Sequence, residues 1–271
     1  VQLARVLHEA GLRPGDVVAL LTENSLRAFE VYWAALRSGL YVTAVNYRLK
    51  PAEVAYIVND SGAAALIVSA EQAATAEAIL DQTAAVKLRL AFGGPVPGYD
   101  PYEQTIAAVP AVPLTDQPHG ATMLYSSGTT GRPKGVRPEL PGHQIDEPGD
   151  ALVGLASQFF GVSPQTVYLS PGPIYHAAPL RWSGAIQANG GTVVMMKRFD
   201  AEQALQAIQE WHVTHAQFVP TMFVRMLQLP EEVRNRYDTS SLRIAIHAAA
   251  PCPVEVKQKM IDWWGPVLAE Y

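Results

Sequence analysis

A layered α/β fold on parallel sheets is what this sequence predicts, from three features. Residues 17–21, 40–45 and 64–68 are short, continuous apolar runs with the length and β-branching of strands buried on both faces. The segments between them repeat their apolar residues at helical spacing. The links are short. Strand, helix, strand, helix, strand with such links makes a parallel sheet with right-handed crossovers.

The elements follow in order. A first helix carries Leu3, Val6, Leu7 and Ala10 and stops at Gly11. Leu12-Arg13-Pro14-Gly15-Asp16 turns the chain into the strand at 17–21. Ser25 can cap the next helix, whose apolar face is Ala28, Phe29, Tyr32, Trp33 and Leu36, closed by Gly39. Tyr32 and Trp33 on such a face are expected to pack rather than to bind. After the strand at 40–45, Pro51 opens a helix through Val54, Ile57 and Val58 that ends at Ser61-Gly62. The strand at 64–68, a helix at 71–80 and a strand at 86–92 follow. Residues 93–101 and 110–118 are dense in Gly and Pro and read as connectors. The composition shift there sets a soft boundary near His119, giving subdomains 1–118 and 119–271.

In the second subdomain strands are expected at 121–125, 167–169, 192–196, 216–219, 242–247 and 267–271. Helices are expected at 151–160, 180–189 and 253–264, and after Asp200 and Pro220. Asp200 with Gln203 three residues on makes a capping-box start. His212 and His215 lie three apart with no third ligand beside them, which argues against zinc.

Bulk properties narrow the function. The chain has 271 residues, 49% hydrophobic and 17% charged, enough for one large or two medium α/β units. Its formal net charge is −5 and no block of Lys or Arg occurs, which argues against nucleic acid as a partner. The one cysteine, Cys252 between Pro251 and Pro253, can form no intrachain disulfide and reads as a small apolar residue. That usage fits a reducing compartment, and the cytoplasm is the expected location. No apolar run approaches the ~18 residues of a membrane helix. No basic-then-apolar leader opens the chain. The absence of an initiator Met, and a start inside a helix, lead us to expect a fragment.

The chemistry concentrates in Tyr125-Ser126-Ser127-Gly128-Thr129-Thr130-Gly131-Arg132-Pro133-Lys134-Gly135. Glycines let backbone N–H groups approach a ligand, hydroxyls donate to phosphate oxygens, and the lysine adds a compact positive charge. A polyphosphate suits that set. The string is not a Walker A loop, because Pro133 precedes the lysine and Gly135 follows it, and it has no Gly-x-Gly-x-x-Gly spacing. The apolar run at 121–125 reads as a strand feeding a loop, a usual place for a site in an α/β fold.

The string closely resembles the phosphate-binding signature of the adenylate-forming superfamily, which includes acyl-CoA synthetases, aryl-CoA ligases, luciferases and peptide-synthetase adenylation domains. Further matches support it. Asn46-Tyr47-Arg48-Leu49 resembles an Asn-x-Arg-Leu stretch of acyl-CoA synthetases, with no chemistry assigned to Arg48. Ile174-Tyr175-His176-Ala177-Ala178-Pro179 resembles the aromatic-His signature at the substrate mouth. Phe218-Val219-Pro220-Thr221-Met222 resembles the Val-Pro-Thr turn near the acyl and pantetheine channel. Ala248-Ala249-Ala250-Pro251 resembles the Gly-Ala-Ala-Pro turn that lies against adenine, with Ala248 in place of glycine.

The resemblance implies the layered N-terminal domain of such an enzyme, with the small C-terminal domain absent. It implies that Ser126, Ser127, Gly128, Thr129, Thr130, Gly131 and Lys134 wrap the phosphates of ATP, with Thr129 helping to hold Mg²⁺. It implies that Ala248, Ala249, Ala250 and Pro251 meet adenine, and that Tyr271 opens a Tyr-Gly-x-Thr-Glu signature or stands just before it. Lys134, His176 and Thr129 then serve catalysis, and Tyr175, His176, Trp182, Phe218 and Met222 line the acyl site. The implied small molecules are ATP, Mg²⁺, coenzyme A and an apolar, fatty or bulky steroid-like carboxylic acid; a homodimer is compatible with them. Family members commonly carry Thr-His soon after Lys-Gly-Val, whereas this chain runs through a Pro-rich stretch at 137–150. That stretch reads as a surface excursion ahead of an acyl lid. Rival readings are an acyl-AMP ligase serving a carrier protein, an aryl- or amino-acid-adenylating enzyme, and a nucleotide-binding protein on a degenerate synthetase fold.

Overall fold

A computed structural model describes residues 1–126 and 132–270 of the chain. It separates into two units, Val1–Gly149 and Asp150–Tyr271.

In the first unit the unbroken apolar runs form β1 (Val17–Leu21) and β2 (Tyr41–Val45), with every residue buried. They come after and between α1 (Gln2–Glu9) and α2 (Leu26–Leu36). Gly11, at φ +87°, lies just past α1 in a conformation that L side chains rarely adopt. The Ser25 side chain accepts from the Arg27 N–H and caps α2. Pro51 occupies the first turn of α3 (Pro51–Asp60), where its missing N–H costs no hydrogen bond. Next come β3 (Ala63–Ser69), α4 (Ala73–Ala78) and β4 (Leu88–Phe92). β5 (Asp100–Pro101), inside the first Gly/Pro connector, and α5 (Tyr102–Ala107), between the two connectors, are too short for periodicity to reveal. With β6 (Ala121–Thr122) these strands form one parallel sheet in the order β5-β4-β3-β1-β2-β6. Leu21, Val45, Val54, Ile57, Leu66, Ile79 and Met123 share its main core cluster.

The strand expected at 121–125 is two strands. Ala121 and Thr122 pair with Tyr41 and Val42, and the Met123 N–H donates to the Val42 carbonyl at 3.0 Å. The chain then leaves the sheet as β7 (Leu124–Ser126), which pairs antiparallel with β8 (Lys134–Val136). Gly120 sets up this passage. A Cβ there would sit 2.1 Å from the Leu40 carbonyl oxygen, so no side chain fits.

The division of the chain therefore differs from the soft boundary near His119. The Gly120 N–H donates to Leu36 O at 2.6 Å, the His119 N–H to His143 O at 2.8 Å and the Ile145 N–H to Gln117 O at 2.9 Å. These bonds hold residues 117–145 in the first unit. The Pro-rich stretch is a strap laid on that unit. The Tyr41 hydroxyl donates to Pro138 O at 2.6 Å. Arg137 donates to Gly15 O at 2.6 Å and stands 4.5 Å over the Tyr41 ring.

The second unit runs α6 (Ala151–Phe160), β9 (Val167–Ser170), α7 (Ala177–Ala188), β10 (Thr192–Met195), α8 (Ala201–Glu210), β11 (His215–Phe218), α9 (Pro220–Leu227), α10 (Glu231–Arg234), β12 (Ile244–His247), α11 (Val254–Trp264) and β13 (Leu268–Glu270). Its sheet is parallel throughout, in the order β10-β9-β11-β12-β13. The Asp150 carboxylate accepts from the N–H groups of Leu152 and Val153 at the start of α6, and Gly161 closes that helix at φ +63°. Asp200 caps α8 through the N–H groups of Glu202 and Gln203. His215 is buried and spends its ring nitrogens on Phe160 O at 2.7 Å and the Thr214 hydroxyl at 2.9 Å. Among the described residues no helix is long and apolar enough to cross a membrane.

Leu66 is fully buried in the middle of the first sheet, whereas Leu26 is 75% exposed. Leu66→Ala is expected to lower the unfolding free energy by about 2–5 kcal/mol, and Leu26→Ala by less than about 0.5, in urea titrations.

Candidate functional site

The phosphate-type string begins and ends on two paired antiparallel strands. β7 and β8 pair as Leu124 with Val136, Tyr125 with Gly135 and Ser126 with Lys134. The last residue before the connection and the lysine after it therefore stand opposite each other, both exposed. The Ser126 hydroxyl lies 3.5 Å from the Lys134 carbonyl oxygen. Ser127, Gly128, Thr129, Thr130 and Gly131 lie outside the described residues, as does Tyr271. Gly135 has a steric reason. A Cβ there would come within 2.8 Å of the Tyr125 ring and 2.8 Å of the Met123 methyl. The ring of Tyr125 thus crosses its partner strand over the glycine.

In the second unit the winding of the sheet reverses between neighbours β9 and β11. β9 leads to β10 on one side, and β11 leads to β12 on the other. In open α/β sheets ligands bind outside the carboxyl ends of the strands at such a reversal. The segment after β9 runs Pro171-Gly172-Pro173-Ile174-Tyr175-His176 into α7, and the one after β11 is Val219, followed directly by Pro220 of α9. His176 is the N-cap residue of α7, in an extended conformation, and its side chain caps nothing. The ring is exposed, 4.5 Å from the half-buried Tyr175 ring by centroids. Gly172 closes on the first turn of α7, since a Cβ there would meet the Pro179 ring at 2.7 Å. Partial desolvation holds the His176 pKa below its ordinary value, so near neutrality the ring is an uncharged donor and acceptor. The positive end of the α7 dipole favours negative charge beside it.

The turn after β12 lies at the same edge of this sheet. Ala248 is half-buried, and Ala249, Ala250 and Pro251 are exposed. Ala249 has φ +76°, a left-handed conformation that costs a residue with a Cβ. Strain of this kind collects at functional sites. Methyl side chains leave the backbone of the turn open to a flat ligand. Cys252, just beyond, is half-buried, and burial raises its thiol pKa, so it is an inert apolar residue.

Two expected acyl-site residues are core residues. Trp182 is 2% exposed and packs edge-on to Phe160 at 5.1 Å. Phe218 is 1% exposed and packs against Phe223 and Trp264. Their size and apolarity are used in packing. Met222 and Tyr175 stay half-buried.

Sequence reasoning passed over a polar group beside the alanine turn. His247 ends β12 fully buried, edge-on to Phe223 at 5.6 Å. Neither ring nitrogen has a hydrogen-bond partner among the described residues. Its Nδ1 is 4.0 Å from Glu270, its register partner on β13, and Glu270 also pairs with Lys257 of α11. The only signal in the sequence was its position one residue before the turn.

Burial lowers the pKa of His247 and of His215 from 6.5. The unfolded chain therefore binds protons that the folded chain resists, and stability falls as pH drops below 6.5. Melting curves are expected to show that loss, and His247→Gln is expected to reduce it. At Ala249 the strain of about 1–3 kcal/mol is offset in part by the ~0.5–1 kcal/mol entropy cost of glycine. Ala249→Gly is thus expected to hold or raise the melting temperature, and Ala249→Val to lower it.

Comparison with known proteins bears on both halves of this geometry. The family model for AMP-binding enzymes matches residues 1–271. The fatty acid–[acyl-carrier-protein] ligase ScoC of Streptomyces coeruleorubidus is 32% identical over 258 residues, covering 92% of this chain and 47% of that protein. A feruloyl-CoA synthase of Amycolatopsis sp is 32% identical over 267 residues, covering 96% and 50%. The chain spans about half the length of these curated relatives. Among solved structures, the amide bond synthetase McbA of Marinactinospora thermotolerans superposes with a TM-score of 0.83 at 28% identity, over 99% of this chain and 52% of that one. The N-terminal domain of FACL13 from Mycobacterium tuberculosis superposes with a TM-score of 0.78 at 26% identity, over 99% and 64%. The chain belongs to the AMP-binding family of adenylate-forming ligases, whose N-terminal portion it matches.

Proposed function

We propose that the protein is an ATP-dependent acid–thiol ligase that activates an apolar carboxylic acid, fatty or bulky, as acyl-AMP and passes the acyl group to coenzyme A. The observation that carries this reading is the string 125–135, with Ser126 and Lys134 facing each other at the base of the hairpin. In the first step a carboxylate oxygen attacks the α-phosphorus of ATP, and pyrophosphate leaves with the P–O bonding pair. In the second the thiol sulfur attacks the acyl carbonyl, and AMP leaves.

Positioning and charge neutralisation supply most of the first step. Lys134, Ser126, Ser127, Gly128, Thr129, Thr130 and Gly131 hold the phosphates through the ammonium, hydroxyl and backbone N–H donors. Mg²⁺, which Thr129 would help to hold, neutralises phosphate charge when bound. The donor set fits a polyphosphate, since the string contains no carboxylate to repel it. The turn at Ala248, Ala249, Ala250 and Pro251 takes the adenine face, with Tyr271 beyond it. His176 binds the acyl carboxylate as a neutral donor, and Tyr175 and Met222 face the apolar part of the acid. The relatives' names include fatty and aryl acids, which supports an apolar acid and leaves its size to experiment. The lone cysteine supports a cytoplasmic site of action.

A second reading is favoured by one comparison. ScoC is named for an acyl-carrier-protein acceptor, so a carrier thiol in place of coenzyme A is the alternative. Lys134→Ala is expected to weaken ATP binding about tenfold or more in calorimetry, the worth of a charged contact. The full-length protein is expected to catalyse carboxylate-dependent ATP–pyrophosphate exchange. No exchange with any fatty, aryl or steroid acid removes the ligase reading. Thioester formed with coenzyme A alone excludes the carrier alternative.

A further inference from the structure

A single carboxylate at the end of α3 touches the first leg of the hairpin directly and meets the second through Tyr56. We propose that Asp60 is a positioning residue that fixes the base of the phosphate-binding hairpin; this rests on the function proposed above. The Tyr125 hydroxyl donates to Asp60 Oδ2 at 2.6 Å, a short, charge-assisted bond. Tyr125 immediately precedes Ser126, the first residue of the donor string. The Tyr56 hydroxyl lies 3.3 Å from Asp60 Oδ1 and 3.3 Å from the Pro133 carbonyl oxygen, and its one proton serves either acceptor. Tyr56 and Asp60 are four residues apart on one face of α3. The Arg132 guanidinium stands 5.1 Å over the Tyr56 ring.

The first leg is thus held at Tyr125, and the second at Arg132 and Pro133, two residues and one before Lys134. Gly135 makes the arrangement possible, because any side chain there would strike the Tyr125 ring on its way to Asp60. Both phenols are held in their neutral, donating form. Desolvation raises the pKa of each, and Asp60 adds to the rise. Asp60 acts through the tyrosines: Tyr125 donates to it, and Tyr56 shares its proton between Asp60 and Pro133. Its work is to set where the string begins and ends, and so where donors meet a polyphosphate.

Calorimetry with ATP and with inorganic pyrophosphate tests this on the wild-type chain and on Asp60→Ala, Asp60→Asn and Tyr125→Phe. Asp60→Ala is expected to weaken binding about tenfold, the worth of one charge-assisted hydrogen bond. Tyr125→Phe reproduces the loss, and the double variant is no worse than either single one, since the two groups act as one contact. Asp60→Asn keeps an acceptor oxygen and recovers part of the affinity. In near-ultraviolet titration the tyrosine ionisation of Asp60→Asn moves to lower pH than in wild type, as loss of the neighbouring carboxylate charge requires. Equal ATP affinity in wild type and Asp60→Ala overturns the proposal while leaving the ligase reading intact. If wild type binds no ATP, the ligase reading fails instead, and hydrogen exchange then decides. Faster exchange at the amides of residues 124–126 and 134–136 in Asp60→Ala upholds the positioning role, and unchanged exchange ends it.

Discussion

Parallel pairing is the constraint on which the rest of the protein depends. A parallel strand returns to its sheet only by a crossover, so each segment that follows a strand emerges at the same edge. In the second unit this delivers the segments after β9, β11 and β12 to one edge. Those segments carry Tyr175 and His176, Val219 and the alanine turn. No local signal near any one of them requires the others as neighbours; the sheet does. The antiparallel hairpin of the first unit departs from that rule. It leaves the parallel sheet at Met123, and β8 pairs with β7 and not with that sheet.

Three histidines in the second unit show how burial and partners divide the labour of one residue type. His215 is buried with both nitrogens engaged, and it fastens the start of β11 to the end of α6. His247 is buried with no hydrogen-bond partner among the described residues, close to an acid that already holds a lysine. His176 is exposed at a helix start with its ring unspent on capping. Only the last has the accessibility that binding requires. Side-chain identity alone would rank all three alike.

Much of the scaffold was legible because its signals are local. Ser25, Asp200 and Pro51 sit where caps and first turns need them, and the apolar runs at 17–21 and 64–68 are strands along their whole length. The misreadings came where a distant partner decided the outcome. The run 121–125 has the composition of one strand, yet β2 takes its first half and β8 its second. Residues 119–149 looked like the opening of a second subdomain, but backbone bonds to residues far back in the chain hold them in the first. Asp60 could not be found from sequence at all, because its role depends on tyrosines reaching it from both its own helix and a hairpin.

The strap at 137–149 has a consequence for engineering. Residues 117–119 and 143–145 are zipped together by backbone bonds, so the chain between them is a circuit whose two ends already meet. Lengthening such a circuit costs only a logarithmic entropy term, about 0.6 kcal/mol per doubling. The exposed pair Pro141 and Gly142, beyond the Tyr41 anchor at Pro138 and the half-buried Leu140, is therefore a port. A foreign peptide spliced in there would hang from the closed ring without pulling on Lys134.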